Sequence, residues 1–172
     1  QTQEWKEFES YPAELKYLVT DENRMSWVSS LVDGIKDSGN TLVLVDRIES
    51  GEFLIEQLPD AVFISGKIKS TKRKEQYREV ATADDKIIVA TYGVAAVGIN
   101  IPRIFNLVLL EPGKSFVRVI QSIGRGIRKA DDKDFVQIWD ITANTKYAKR
   151  HLTERKNCLL YTSDAADDTP CV

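Results

Sequence analysis

Three stretches of this chain are apolar almost end to end: Thr41–Val45 (TLVLV), Lys86–Ala90 (KIIVA) and Phe105–Leu110 (FNLVLL). A strand with one wet face alternates apolar and polar residues, whereas a strand covered on both faces does not. Between these runs lie segments of helical period, which is the pattern of βαβ units around a parallel sheet. Tyr17–Thr20 (YLVT) reads as a further short strand. Asp21 is placed to cap a helix running through Lys36, with Trp27, Leu31 and Ile35 at i, i+4 and i+8 as its apolar stripe. Gly39-Asn40 breaks the chain before the first apolar run. Glu49–Leu58 is expected to be a helix, Ala61–Ile64 a strand, Thr71–Thr82 a charged helix, Ser115–Arg128 a helix and Phe135–Ile141 a strand. A basic helix is expected from Ala143 onward. The sum is an α/β, doubly wound, mainly parallel sheet of five to six strands with helices on both faces.

The length of 172 residues suits one such domain. Hydrophobic content of 42% and charged content of 29% are those of a globular protein. No apolar run approaches the roughly 20 residues a membrane helix needs, and the start has no signal-peptide pattern. A cytoplasmic location, with no membrane partner, is the expectation. The chain opens at Gln1 and its single Met is Met25, so we expect a segment cut from a longer protein. Cys158–Asp167 (CLLYTSDAAD) resembles the translation of a transposon-type sequencing-library adapter, all 10 codons in order. Residues 1–157 are therefore expected to form the domain and 158–172 a non-native tail. Both cysteines, Cys158 and Cys171, fall in that tail, so disulfide and Cys-metal readings lapse for the domain. Without the tail's Asp164, Asp167 and Asp168, the balance of 24 basic against 26 acidic residues becomes 24 against 23. Global charge is then silent about nucleic acid, and any binding surface must be a local patch.

Ligands of open parallel sheets bind beyond the carboxyl ends of the strands. That rule directs attention to the loops at 46–51, 65–70, 91–102, 111–115 and 142–145. Downstream of the fourth loop lies Gln121-Ser122-Ile123-Gly124-Arg125-Gly126-Ile127-Arg128. Two arginines three residues apart share one side of a helical turn and can reach one ligand. Their planar donor forks suit a phosphate better than a lysine does. Gly124 and Gly126 each cost a helix about 1 kcal/mol relative to Ala, which points to a close backbone approach there. Taken alone, the pair also fits a solvated basic helix end.

Ile87–Pro102 reads IIVATYGVAAVGINIP: a buried strand, a Thr, a loop with two glycines, then Asn-Ile-Pro. With QSIGRGIR it resembles the fifth and sixth motifs of superfamily 2 helicases, the sixth being QxxGRxxR. LVLVDRIESGEFL resembles the fourth motif, and FISGKIKSTKRKE the segment after it that carries a backbone-binding Ser/His-Gly. The likeness covers about Leu15 to Arg150. The ATYGV run, the QSIGRGIRK helix and FVQIWDIT are most similar to the phage UvsW-like DNA repair helicases. The resemblance implies a RecA-like second lobe that uses ATP with Mg²⁺ and acts on DNA, branched forms included, with RNA left open. Arg125 and Arg128 would be arginine fingers, and Gly98, Asn100 and Gln121 would approach the nucleotide. Many relatives carry Asp at the position of Asn100, so an ionic role there is in doubt. Arg47, Ser65, Gly66 and Thr91 would contact the nucleic-acid backbone. The run Lys67, Lys69, Lys72, Arg73 and Lys74 reads equally well as a solvated face or as a phosphate track.

No GxxxxGK[ST] loop and no Asp-Glu pair after a buried strand occurs in the chain. A missing N-terminal lobe is thus the expected partner and the holder of the metal; no metal ligands are assigned in this chain. The alternative is a non-catalytic nucleic-acid-binding module that kept the lobe's fold. A dinucleotide-binding enzyme of another family lacks its GxGxxG after a strand. His151 is expected on the surface, Trp27 and Trp139 in the core, and Trp5 in either. Glu111 is expected in a loop or interlobe contact.

Overall fold

The structure is a computed structural model that describes residues 5–66, 70–97, 101, 103–113, 120 and 135–164. In chain order the described elements are α1 (Tyr11–Thr20), α2 (Glu22–Ile35), a 3₁₀ turn (Lys36–Ser38), β1 (Thr41–Val45), α3 (Ile48–Gln57) and β2 (Val62–Ile64). They continue with α4 (Ser70–Ala81), β3 (Ile87–Thr91), α5 (Tyr92–Ala96), β4 (Asn106–Leu110), β5 (Gln137–Ile141) and α6 (Lys146–Asp164). The described strands form one five-stranded sheet in the order β2-β3-β1-β4-β5, and every pairing is parallel. The expected α/β fold is observed, with the lower of the two expected strand counts.

The period of two along each strand divides the core into two layers. Leu42, Leu44, Ile88, Ala90, Leu107 and Leu109 face one side and pack with Val80 of α4 and Val94 and Ala95 of α5. Val43, Val45, Val89, Val108 and Leu110 face the other and pack with Met25, Val28 and Val32 of α2 and Leu54 of α3. Doubly covered strands require continuous apolar runs, which is why β1 and β4 are buried at every residue. Gly39 turns the chain into β1 at φ +132°, and a Cβ there would meet the Phe105 ring at 2.6 Å. Only glycine satisfies both conditions.

Three expectations are corrected here. Tyr17–Thr20 is not a strand but the last part of α1. Ser10 caps that helix, Pro12 sits in its first turn, and Leu15, Leu18 and Val19 form its buried stripe. Helical spacing that starts upstream overrides the β-propensity of four residues. The inner stripe of α2 is Met25, Val28 and Val32, while Trp27 is exposed and Leu31 and Ile35 sit at the flank. Two apolar stripes overlap in this helix, and the one facing the sheet lies one residue on from the expected one. His151 is buried, with Tyr11 edge-on to its ring at a centroid distance of 4.9 Å. Its basic neighbours Lys149 and Arg150 are exposed, whereas Arg155, one turn on, shares its buried face.

Trp139 is half-buried against the second core layer, as expected, and Trp5 is exposed. The sequence break expected after Asn157 is not a helix end, since α6 continues to Asp164. The helix expected at Ser115–Arg128 lies outside the described residues except for Ile120, which is helical and packs against the first core layer. Among the described residues, no helix is long and apolar enough to cross a membrane.

Candidate functional site at the carboxyl edge of the sheet

Because all described strands are parallel, their carboxyl ends open on one edge. The register places Thr91 beside Val45, and Ala90 beside Ile64. Asp46-Arg47, Thr91 and Ser65-Gly66 thus leave three adjoining strands, spaced about 4.8 Å apart. Arg47 is exposed at the start of α3 and lies 3.4 Å from the exposed carboxylate of Asp46. Thr91 ends β3 and caps α5, its Oγ1 accepting from the Val94 N–H at 3.4 Å. That role as acceptor leaves the hydroxyl proton for another partner. Ser65 is buried, whereas Gly66 is exposed and a Cβ there would meet nothing within 4 Å. Of that pair, the open position is Gly66. The structure therefore brings Arg47, Ser65, Gly66 and Thr91 together. Gly98, Asn100, Gln121, Arg125 and Arg128 lie outside the described residues, as do Lys67 and Lys69.

The other half of the edge is built differently. Glu111 follows β4 in a left-handed conformation, φ +44°, rare for a residue with a Cβ. Its carboxylate is buried and forms an ion pair with Arg24 of α2, itself buried. Arg24 also donates to the Leu18 carbonyl at 3.3 Å. Burial pushes the Glu111 carboxyl above its ordinary range; Arg24 pulls it down, and Asp46 adds to the rise. Glu111 thus sits in the bend after β4, as expected of a loop position, and its carboxylate is held inside the lobe by a partner of its own. Arg155 of α6 grips Asp140 of β5 with two donors, at 2.9 and 2.8 Å, and donates to the Pro112 carbonyl at 2.8 Å. The Tyr92 hydroxyl donates to the Leu110 carbonyl at 3.2 Å. Its own proton is held far above the usual phenol range, by burial first and then by Glu111.

Glu14 completes this half. Its buried carboxylate accepts from the Thr145 hydroxyl and from the N–H groups of Tyr147 and Ala148, at 2.7, 2.8 and 2.7 Å. An anion over the first turn of α6 satisfies donors that a helix leaves unpaired and complements its dipole. Arg24, Glu14, Tyr92 and Arg155 were not singled out by sequence. A signal existed for one of them: Arg24 puts a charge among the apolar positions of α2, and its partner Glu111, already singled out, puts one directly after FNLVLL. Two opposite charges in apolar settings are complementary, but nothing in a sequence pairs positions 24 and 111.

The helicase conserved C-terminal domain family matches residues 23–130. The chain is 27% identical over 158 residues to the ATP-dependent DNA helicase uvsW of Enterobacteria phage T4, covering 83% of this chain and 31% of that protein. It is 29% identical over 160 residues to putative helicase 22 of a Sulfolobus islandicus filamentous virus, covering 77% of this chain and 28% of that one. The chain thus spans about a third of the length of these relatives. The crystal structure of T4 UvsW matches with a TM-score of 0.76 at 22% identity, over 91% of this chain and 35% of that one. With the match spanning more than half of its length, the chain belongs to the helicase conserved C-terminal domain family, as the RecA-like C-terminal lobe of a superfamily 2 helicase.

Proposed function

We propose that this lobe serves an ATP-dependent DNA helicase or translocase whose first lobe lies elsewhere in a longer protein. In this reading Arg125 and Arg128 reach the transferring phosphoryl group, and Gly98, Asn100 and Gln121 line the nucleotide. Arg47, Ser65, Gly66 and Thr91 hold the DNA backbone. Residues 1–157 make the lobe, and 158–172 are an adapter-derived tail. The observation that carries the reading is the convergence of Arg47, Gly66 and Thr91 on adjoining strand ends. There a guanidinium, an open backbone position and a hydroxyl offer three kinds of phosphate donor. Ser65, being buried, adds its backbone rather than its hydroxyl.

ATP with Mg²⁺ supplies the phosphoryl group when bound. Among the described residues no group of three His, Cys, Asp or Glu side chains could hold a metal ion; the reading assigns the metal to the first lobe. This lobe's arginines offer fixed donor forks where charge develops, a contribution on the order of 10³ to 10⁵ in rate.

Residues 1–157 alone are expected to show no DNA-stimulated ATP turnover, and the full-length protein to show it. Steady-state turnover by the isolated lobe would overturn the split site. Nucleic-acid binding by a full-length protein without turnover would move the assignment to a non-catalytic binding module. Stimulation by RNA in place of DNA would correct the substrate.

A further inference from the structure

The loop after β5 and the first turns of α6 lie on the same carboxyl edge as Gly66, Thr91 and Arg47, at its far end in the sheet order. Tyr11 stands between the two. Its ring is half-buried, edge-on to His151 of α6 at 4.9 Å and 6.1 Å from the Tyr147 ring. Its hydroxyl faces the turn after β4, where a Cβ on Gly113 would stand 3.8 Å away. Burial first, then Asp46, Glu111 and Glu14, push that hydroxyl above the usual phenol range, and Arg47 opposes them. Tyr11 thus feels the charges at the end of β1 while its ring packs on α6.

On α6, Lys146 and Arg150 are four residues apart and share one side of the helix with Tyr147. The Arg150 guanidinium lies 5.2 Å from the centre of the Tyr147 ring, and the Lys146 ammonium 5.9 Å from it. Both cations are exposed, as are the carboxylates of Glu7 and Glu154 beside them. Exposed ion pairs are weak in water, so a phosphate can take the place of either carboxylate. The helix beneath is fixed by Glu14, which accepts from the Tyr147 and Ala148 N–H groups, and by Arg155, which holds Asp140 and the Pro112 carbonyl. Because Glu14 already fills the N-terminal donors of α6, an anion arriving here meets the side-chain cations and not the backbone.

We propose that the nucleic-acid strand held by Gly66, Thr91 and Arg47 continues across Tyr11 onto α6, where the Tyr11–Tyr147 pair carries a base and Lys146 and Arg150 pair with phosphates. The proposal rests on the function proposed above and extends its DNA contact along the whole carboxyl edge. Four strand spacings of about 4.8 Å make that edge about 19 Å long. Cations that follow the backbone, interleaved with aromatic rings on which bases stack, hold a single strand without reading its sequence.

The test measures the affinity of the full-length protein for a single-stranded DNA oligonucleotide as a function of salt, with melting temperature as the check on folding. The variants are Lys146→Ala with Arg150→Ala, Tyr147→Leu and Tyr147→Phe, with Arg47→Ala as the reference. Loss of both cations should lower affinity about tenfold at low salt and flatten the log–log salt slope by about 1.4, two phosphate contacts at about 0.7 each. Tyr147→Leu should lower affinity about fivefold or more and leave the slope unchanged, because stacking releases no counterion. Tyr147→Phe keeps the ring, losing only the bond to the Glu9 carbonyl, and should bind within about twofold of the parent. If the folded cation and Leu variants bind like the parent while Arg47→Ala loses affinity, the extension is overturned and the proposed DNA edge stands. A folded Tyr147→Leu protein that binds like the parent removes the stacking platform and overturns the proposal on its own. If Arg47→Ala binds like the parent, the DNA edge proposed above fails, and the track onto α6 fails with it.

Discussion

The two halves of the carboxyl edge share a sheet and a strand direction, yet they treat polar groups in opposite ways. On the β2–β3–β1 side, Arg47 and Gly66 are exposed and Thr91 is half-exposed; Arg47 meets the exposed Asp46 at 3.4 Å, and Thr91 accepts from the Val94 N–H at 3.4 Å. On the β4–β5 side, Glu111 and Arg155 are buried and Asp140 is gripped by two donors. An exposed ion pair such as Asp46–Arg47 contributes about 0–1 kcal/mol, so its partners are free to exchange it for a ligand. A buried pair cannot be opened without stranding a charge. The contrast teaches that one half leaves its polar groups available to solvent while the other uses them to hold the fold.

The strongest way to break this contrast is Arg24→Ala. It leaves Glu111 buried without its counter-ion and should cost about 3–5 kcal/mol in a denaturant melt. Arg47→Ala in the same assay should stay within about 0.5 kcal/mol. Equal effects would erase the distinction. Arg155→Ala is next, at about 2–3 kcal/mol, for the loss of charge-assisted bonds to Asp140 and the Pro112 carbonyl.

A smaller effect concerns pH. The folded-state pKa of Glu111 is raised above its ordinary value of 4.5. In the interval above that value, the folded chain therefore keeps a proton that the unfolded chain releases. This group's contribution to stability falls as pH rises through the interval and is level above the folded pKa. The difference in stability between the parent and Glu111→Gln should slope in that direction, and a flat difference would show that Arg24 fully offsets the burial. The smallest effect is expected from removing residues 158–172. The inward-facing residues His151 and Arg155 precede Asn157, so the melting temperature should move by less than about 2 °C. A larger drop would mean that the last part of α6 packs.

The exposed half was legible in the sequence and the holding half was not. β1, β3 and β4 are apolar runs whose burial on both faces follows from composition alone, and the loops after them follow from the parallel topology. Arg47, Gly66 and Thr91 were singled out through the helicase resemblance, and they follow or end β1, β2 and β3 in turn. The holding half depends on pairs distant in sequence: Arg24 with Glu111, Glu14 with the start of α6, Arg155 with Pro112. No local period encodes such a pair. The misread YLVT run and the displaced stripe of α2 have a related cause, since several local patterns were admissible and packing against the sheet chose among them. His151 shows the same limit, for its burial depends on Tyr11, far away in the chain.

The central claim is that this lobe's paired arginines act on the reaction while its exposed edge acts on DNA. The most direct test is ATP turnover by the full-length protein carrying Arg125→Ala and Arg128→Ala, read against nucleotide and DNA affinity in the same preparations. A group that meets charge developing in the transition state affects rate more than ground-state binding. Turnover is therefore predicted to fall by about 10³-fold or more, with both affinities nearly unchanged. Full turnover accompanied by a loss of DNA affinity would contradict the account, making Gln121–Arg128 a clamp on the DNA backbone.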